Sequence, residues 1–230
     1  MFVTIHQPEF MPWAAFFEKM LRTDRFVILD SVKYQKNYFL NRCRIKQQGK
    51  ATWLTVPVMS GSSAETIAEK HLADQAMWGK KVFNTLYFTY RPAPYWSAHE
   101  AFFEQIFRDA RWEHLVDLNM ALLRYLADAL DIPFVHSRSR DMALTQKGSD
   151  LVLNICQVLN ADRYLSGAHG QDYLDEAAFK AAGIEVVYQD YEAVPYEQFN
   201  GAYCGPLSVI DLLLNKGRDA RSHIEAGRKA

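Results

Sequence analysis

Residues 2–30 read FVTIHQPEFMPWAAFFEKMLRTDRFVILD. Phe2–Ile5 is a short apolar run of strand character, and Pro12 stands where the first turn of a helix tolerates proline. Trp13, Phe16, Phe17, Met20 and Leu21 then recur at helical spacing, and Arg22, Thr23 and Asp24 close that segment. RFVILD, Arg25–Asp30, restores strand character. Strand, helix, strand is the unit that builds parallel sheets through right-handed crossovers. The first strand ends abruptly in His6 and Gln7, an imidazole and an amide placed where a bare turn needs neither.

The alternation lapses and then returns. Ser31–Lys50, SVKYQKNYFLNRCRIKQQGK, is the least regular and most cationic region, with Gly49 as a turn before a strand in TWLTVPV. Gly61–Thr66, GSSAET, reads as a loop carrying a helix N-cap residue. Asp74–Leu130 holds three helices broken at RPAP, Arg91–Pro94, and the last places Leu115, Leu118, Leu122, Leu126 and Leu130 at near-helical spacing. IPFVHS then reads as strand, Thr145–Leu159 as helix, DRYLSG as strand, Tyr173–Ala182 as helix and IEVVYQD as strand. PLSVIDLLLNKG forms a final helix stopped by Gly217. The expected fold is α/β: a three-layer, parallel or mostly parallel, Rossmann-like sheet in one domain over residues 1–230, with a helical insertion or cap at 74–130.

Composition narrows the function. With 49% apolar and 13% aromatic residues in 230, the chain can bury a large core and is not disordered. Lys plus Arg (26) nearly cancels Asp plus Glu (27), so no global field argues for DNA or an anionic membrane. Cys43, Cys156 and Cys204 are an odd number without CxxC spacing, which fits a reducing compartment better than a disulfide framework. There is no signal-peptide pattern and no uncharged run long enough to span a bilayer, so the expectation is a cytoplasmic protein without membrane insertion. No HExxH, paired CxxC or Walker-type motif appears, so no metal site and no cofactor is evident.

In an open parallel sheet, ligands sit beyond the carboxyl ends of the strands. Those ends read His6-Gln7, Asp30-Ser31 with Lys33 and Tyr34, Ser137–Arg140, Ser166–Gly170 and Gln189–Tyr191, nearly all polar. Polar loops are common, but their convergence at one edge would make a binding site. Lys33–Lys46 adds five cations, Lys33, Lys36, Arg42, Arg44 and Lys46, among three aromatics, a mixture that suits phosphate pairing beside ring stacking; a solvated irregular segment is the other reading. SGAHG, Ser166–Gly170, permits close backbone approach to a ligand, and it also serves as a plain turn into a helix. Cys43, between Arg42 and Arg44, could be a thiolate nucleophile with His6 or His169 as base.

IHQPEFMPW, KMLRTDRFVILDSVKYQKNYFLNRCRIK, TWLTVPV, DRYLSGAHGQDYLD and LSVIDLLLNKG, in order from residue 3 to 217, resemble the WbqC-like protein family. That family occurs in bacterial gene clusters for O-antigen and other surface polysaccharides and was proposed to include glycine transferases that acylate amino sugars. The resemblance implies an acyl or aminoacyl transferase, glycyl among them, acting on the amine of a nucleotide-linked amino sugar. Its activated donor would be a thioester, an aminoacyl-tRNA or an ATP-derived intermediate, delivered with or without a carrier. The catalytic candidates are then His6 as base, with His169 second, Asp30 to orient it or bind the sugar, and Asn41 to polarise the acyl carbonyl. Lys36 and Arg42 would hold a diphosphate, and Gln7, Lys33, Tyr34, Ser166, Gly167 and Tyr173 would complete the substrate contacts. Two departures stand out: Cys43 where the family more usually carries asparagine, which counts against a required thiol, and Phe10-Met11 where tyrosine and leucine are more typical. Two other activities fit the same residues, an ATP-dependent nucleotidyl-transferring or acid-activating enzyme and a non-catalytic sugar-nucleotide-binding module.

Overall fold

A computed structural model describes residues 1–229. The opening segment folds as its pattern predicts: β1 (Phe2–His6), α1 (Ala14–Arg22) and β2 (Arg25–Ile28), with the two strands parallel in the register Val3↔Arg25 to His6↔Ile28. Three more strands join this sheet, β5 (His136–Arg138), β6 (Arg163–Ser166) and β7 (Glu185–Tyr188). All pairings are parallel and the spatial order is β5-β2-β1-β6-β7. The chain therefore steps outward from β1 through β2 to β5, then returns to lay β6 on the other flank of β1. That reversal is the switch point at which open α/β sheets bind their ligands.

Strand alternation distributes the core into layers. Val3, Ile5 and Val27 face Leu151, Val152 and Ile155 of α5 (Gly148–Val158) and Phe179 of α6 (Glu176–Ala181). Phe26 and Ile28 face Phe16, Phe17 and Met20 of α1 on the opposite side. This second core runs without a break into α2 (Gln75–Tyr90), α3 (Trp96–Glu104) and α4 (Leu115–Ala129), the helices of the 74–130 stretch, and into α7 (Val209–Lys216) and α8 (Ala220–Ala226). Asp74, Asp175 and Ser208 cap α2, α6 and α7 through their side chains.

Four expectations need correction. The region 31–50 is not wholly irregular: Arg42–Gln47 forms β3, in which Cys43 and Ile45 turn inward between exposed or half-exposed arginines. TWLTVPV does not join the parallel sheet; β4 (Lys50–Thr55) pairs antiparallel with β3 in a separate ribbon. The cause is the turn, because Gln48 (φ 50°) and Gly49 (φ 75°) are both left-handed, the geometry of a tight hairpin, whereas a parallel neighbour needs a crossover. β5 begins four residues later than IPFVHS suggests, past Pro133, which has no N–H for the ladder. Gly217 (φ 55°) does end α7, but a 3-10 turn over Gly217–Asp219 leads on into α8.

Candidate active site

The loops after β1 and β6 open at the switch point onto a cavity of about 410 Å³, within the range that small-molecule sites occupy. Its floor is made by the β1 end and by α1. On α1, Ala15, Glu18, Lys19 and Arg22 form an i, i+3, i+4, i+7 stripe, and Ala15 and Lys19 line the cavity. Lys19 is buried among the core side chains, and a methyl group added to Gly167 at the end of β6 would lie 3.4 Å from its Nζ. Glu18 does not neutralise it. Glu18 accepts hydrogen bonds from Arg228 Nε (2.7 Å) and Gln189 Nε2 (2.6 Å), and among the described residues the Lys19 ammonium has no hydrogen-bonded carboxylate.

The loop from Gln7 to Trp13 supplies the second buried charge. Asn119 Nδ2 donates to the carbonyls of Pro8 and Leu40, both at 2.8 Å, and Phe10 N donates to Phe39 O at 3.0 Å, so this loop is tied to the segment before β3. Met11, fully buried, is held at φ 43°, a conformation that non-glycine residues rarely adopt. The loop thereby buries Glu9 at the wall of the cavity that His6 also lines.

Burial sets the protonation of this group. Desolvation raises the Glu9 carboxyl to about 7 against the attraction of Lys19, and it lowers the Lys19 ammonium to about 8 against the attraction of Glu9 and Glu18. His6 is lowered to about 3 by burial and by the Lys19 charge, partly offset by its bond to Gln7 O. Its Nδ1 lies 3.1 Å from that carbonyl, which can only accept, so Nδ1 carries the proton and Nε2 is left as an acceptor. A carboxyl and an ammonium thus lie near neutral pH in a cavity that a neutral imidazole also lines, a condition that suits general acid–base chemistry.

Trp13, Tyr38, Phe39, Tyr191 and Arg44 line the cavity, and Trp53 and Arg42 stack behind them. Trp13 meets Tyr191 edge-on at 5.7 Å, Tyr38 meets Phe39 at 5.7 Å, and Phe39 meets Trp53 at 5.5 Å. Arg42 and Arg44 lie over the Trp53 ring at 4.2 and 5.3 Å. Ser208 N donates to Arg44 O at 2.8 Å and Val209 N to Pro12 O at 2.8 Å, closing the wall between β3, α7 and the β1 loop.

The sequence candidates fall into three sets. His6, Gly167 and His169 line the cavity, His169 as a fully exposed rim residue 3.5 Å from Asp172. Gln7, Arg42 and Ser166 are close by in the chain: Gln7 Oε1 is buried without a partner among the described residues, Arg42 bonds Asn37 O, and the buried Ser166 bonds its neighbour Gly167 O at 3.1 Å. The rest stand apart from the cavity lining. Asp30 is completely buried and accepts from Arg138 Nε (2.6 Å), Ser139 Oγ (3.2 Å) and Arg140 N (3.1 Å), which locks β2 to β5. Asn41 bonds Tyr34 OH (3.2 Å) and Val56 O (2.8 Å), while Lys33, Lys36 and Tyr173 are exposed. Cys43 lines the cavity, but burial pushes its thiol well up, away from a thiolate.

Glu9 and Lys19 escaped the sequence reading. Lys19 carried a faint signal, since it stands three residues after Phe16 and next to Met20 among the apolar positions of its helix; Glu9, between Pro8 and Phe10, carried none.

Comparison with known proteins places the chain. It is 29% identical over 228 residues to "Uncharacterized protein Rv1507c" of Mycobacterium tuberculosis (strain ATCC 25618 / H37Rv), covering 99% of each chain. No solved structure matches it significantly. The WbqC-like protein family matches residues 7–223, from the amide at the end of β1 to the last helix, and the chain belongs to that family.

Proposed function

We propose that this protein transfers an acyl or aminoacyl group, glycyl among them, to the amine of a nucleotide-linked amino sugar in the synthesis of O-antigen or another surface polysaccharide. The observation that carries this reading is the cavity at the switch point, which the desolvated Glu9, Lys19 and His6 line together with Arg44 and aromatic side chains. The rim offers ring faces and cations to a nucleotide diphosphate, and the cavity offers the volume of a sugar.

Amide formation needs a base for the attacking amine, a positive charge or donor for the developing oxyanion, and positioning. Glu9, with its carboxyl near neutrality, takes the proton that the amine nitrogen loses as it bonds to the acyl carbon. The Lys19 ammonium faces the oxyanion. His6 Nε2 accepts a hydrogen bond from the amine and aims its lone pair. As the tetrahedral species collapses, the bond to the donor's leaving group breaks and that group departs with the proton Glu9 had taken, giving amide, free donor residue and the restored carboxylate. This assignment moves the base from His6, whose imidazole is too weakly basic, to Glu9.

The test is thermal unfolding against nucleoside triphosphates, nucleotide-linked amino sugars, amino acids and coenzyme A, followed by mass spectrometry of acceptor and donor mixtures. The reading predicts stabilisation by a nucleotide-linked amino sugar and an acceptor heavier by one acyl group, with turnover abolished in folded Glu9→Gln and weakened in folded His6→Ala. Stabilisation by ATP alone, with pyrophosphate release, would replace it by the ATP-dependent activity. Tight sugar-nucleotide binding without product from any donor would reduce it to a binding module.

A further inference from the structure

Away from the cavity, two histidines and a carboxylate converge between the β4–α2 connection and the head of α4. His71 and His114 face each other in an isolated antiparallel bridge. The flanking bonds, Leu72 N to Glu113 O at 2.9 Å and Leu115 N to Lys70 O at 2.8 Å, make them a non-hydrogen-bonded pair, the arrangement that brings side chains closest. Their rings stand 4.4 Å apart, tilted by 40°, and Glu113 Oε1 lies 3.8 Å from His71 Nδ1. One ligand atom from each of His71, Glu113 and His114 lies within 4.8 Å of the other two. Asp117, with Oδ2 3.8 Å from His114 Nδ1, brings a second carboxylate to the same corner.

We propose that His71, Glu113 and His114 bind a divalent transition metal of zinc type, with an open fourth position for water or Asp117. Two imidazoles and a carboxylate are the donor set of borderline metals, and three protein ligands with one free position are the pattern of reactive zinc sites. Ligand bonds of about 2.0–2.2 Å set tetrahedral ligand separations of about 3.4 Å, so atoms within 4.8 Å of one another draw together by up to about 1.4 Å, a distance that side-chain rotation supplies. The backbone pair fixes the Cα positions of both histidines before the metal arrives, so side-chain rotation is the ordering left for binding to drive. The bound ion would join the 57–73 segment, which also pairs Val58 with Leu72 and bonds Met59 N to His71 O at 3.0 Å, to the first turn of α4. This inference is independent of the transferase reading, because it concerns other residues and is tested by binding.

The experiment strips the full-length protein with chelator and titrates it with Zn²⁺ by calorimetry, with Co²⁺ as a visible-absorption probe of four-coordinate geometry. The expected result is one equivalent bound, a raised melting temperature and a tetrahedral Co²⁺ spectrum. His71→Ala and His114→Ala, both at half-exposed positions, should each weaken binding by more than about a hundredfold, beyond the ~10–100-fold cost of losing an outer-sphere partner. His223→Ala should leave it unchanged. Circular dichroism confirms that each variant is folded. Absence of stoichiometric binding, or binding that persists in the His71→Ala, His114→Ala double variant, would overturn the assignment and mark any residual uptake as an adventitious ion only.

Discussion

Replacing Lys19 by methionine should make this protein more stable. The ammonium is buried without a bonded carboxylate, and its fall from an ordinary 10.5 to about 8 already nets burial against the attraction of Glu9 and Glu18. At about 1.4 kcal/mol per pH unit, holding that charge at neutral pH costs the folded state about 3 kcal/mol. Methionine keeps the length and helix propensity of lysine and discards the charge. Glu9 then loses its neighbouring cation and protonates more fully, which returns part of the gain and leaves a net of about 2 kcal/mol. For a chain of this size that is a melting temperature ~4–8 °C higher. The sign also has a pH signature. Because the folded-state value is depressed, the unfolded chain holds more protons between about 8 and 10.5, so the Lys19 contribution to stability rises with pH across that window. The advantage of Lys19→Met should therefore shrink as pH climbs from about 8 toward 10.5. Urea melts of both proteins at several pH values measure this directly. A variant less stable than the parent at neutral pH, or a difference that does not narrow on alkalinisation, would show that Lys19 is compensated by an interaction the argument omits. Equal loss of activity in the stabilised variant would place the cation among the groups retained for function at the expense of stability.

Glu9→Gln tests the other half of the pair. The folded-state carboxyl is raised from 4.5 to about 7, so parent stability should fall as pH rises through that interval while the variant stays flat, which comparative urea melts would reveal. Asp30→Ala should destabilise by about 3–5 kcal/mol, because Arg138 is left without its buried partner. Calorimetric affinity for cavity ligands should be unchanged in that variant, and a lost affinity with normal stability would return Asp30 to the site. Trp53→Ala should raise KM for a nucleotide-linked acceptor about tenfold with kcat nearly intact, the size of one stacking contact; steady-state kinetics distinguishes this from a loss in kcat.

Stability and the proposed chemistry draw on the same feature here. The i, i+3, i+4, i+7 stripe of α1 buries Glu18 and Lys19 together, but Glu18 is bonded by Arg228 and Gln189. One charge is thereby structural and the other is left facing the cavity. Consecutive residues of one helix turn thus take different parts, one in the scaffold and one at the cavity.

By itself, the sequence determined what is local: the strand–helix–strand opening, the three helices of 74–130, and the polar residues at the strand ends. Each rests on a period or a punctuating residue within a few positions, and the parallel sheet follows from the alternation. Long-range adjacency was beyond it. Only the tertiary structure set β6 beside β1, and that neighbourhood decides that Gly167 and His169 join His6 at the cavity while Asp30 serves the β2–β5 seam. The hairpin of β3 and β4 hid behind alternating cations, and it places Arg44 and Cys43 at the wall and Trp53 behind Arg42 and Arg44. Above all, Glu9 and Lys19 are an ordinary acid and base in the sequence. What moves both toward neutrality is the removal of water around them, a property of the assembled core and of no single stretch of chain.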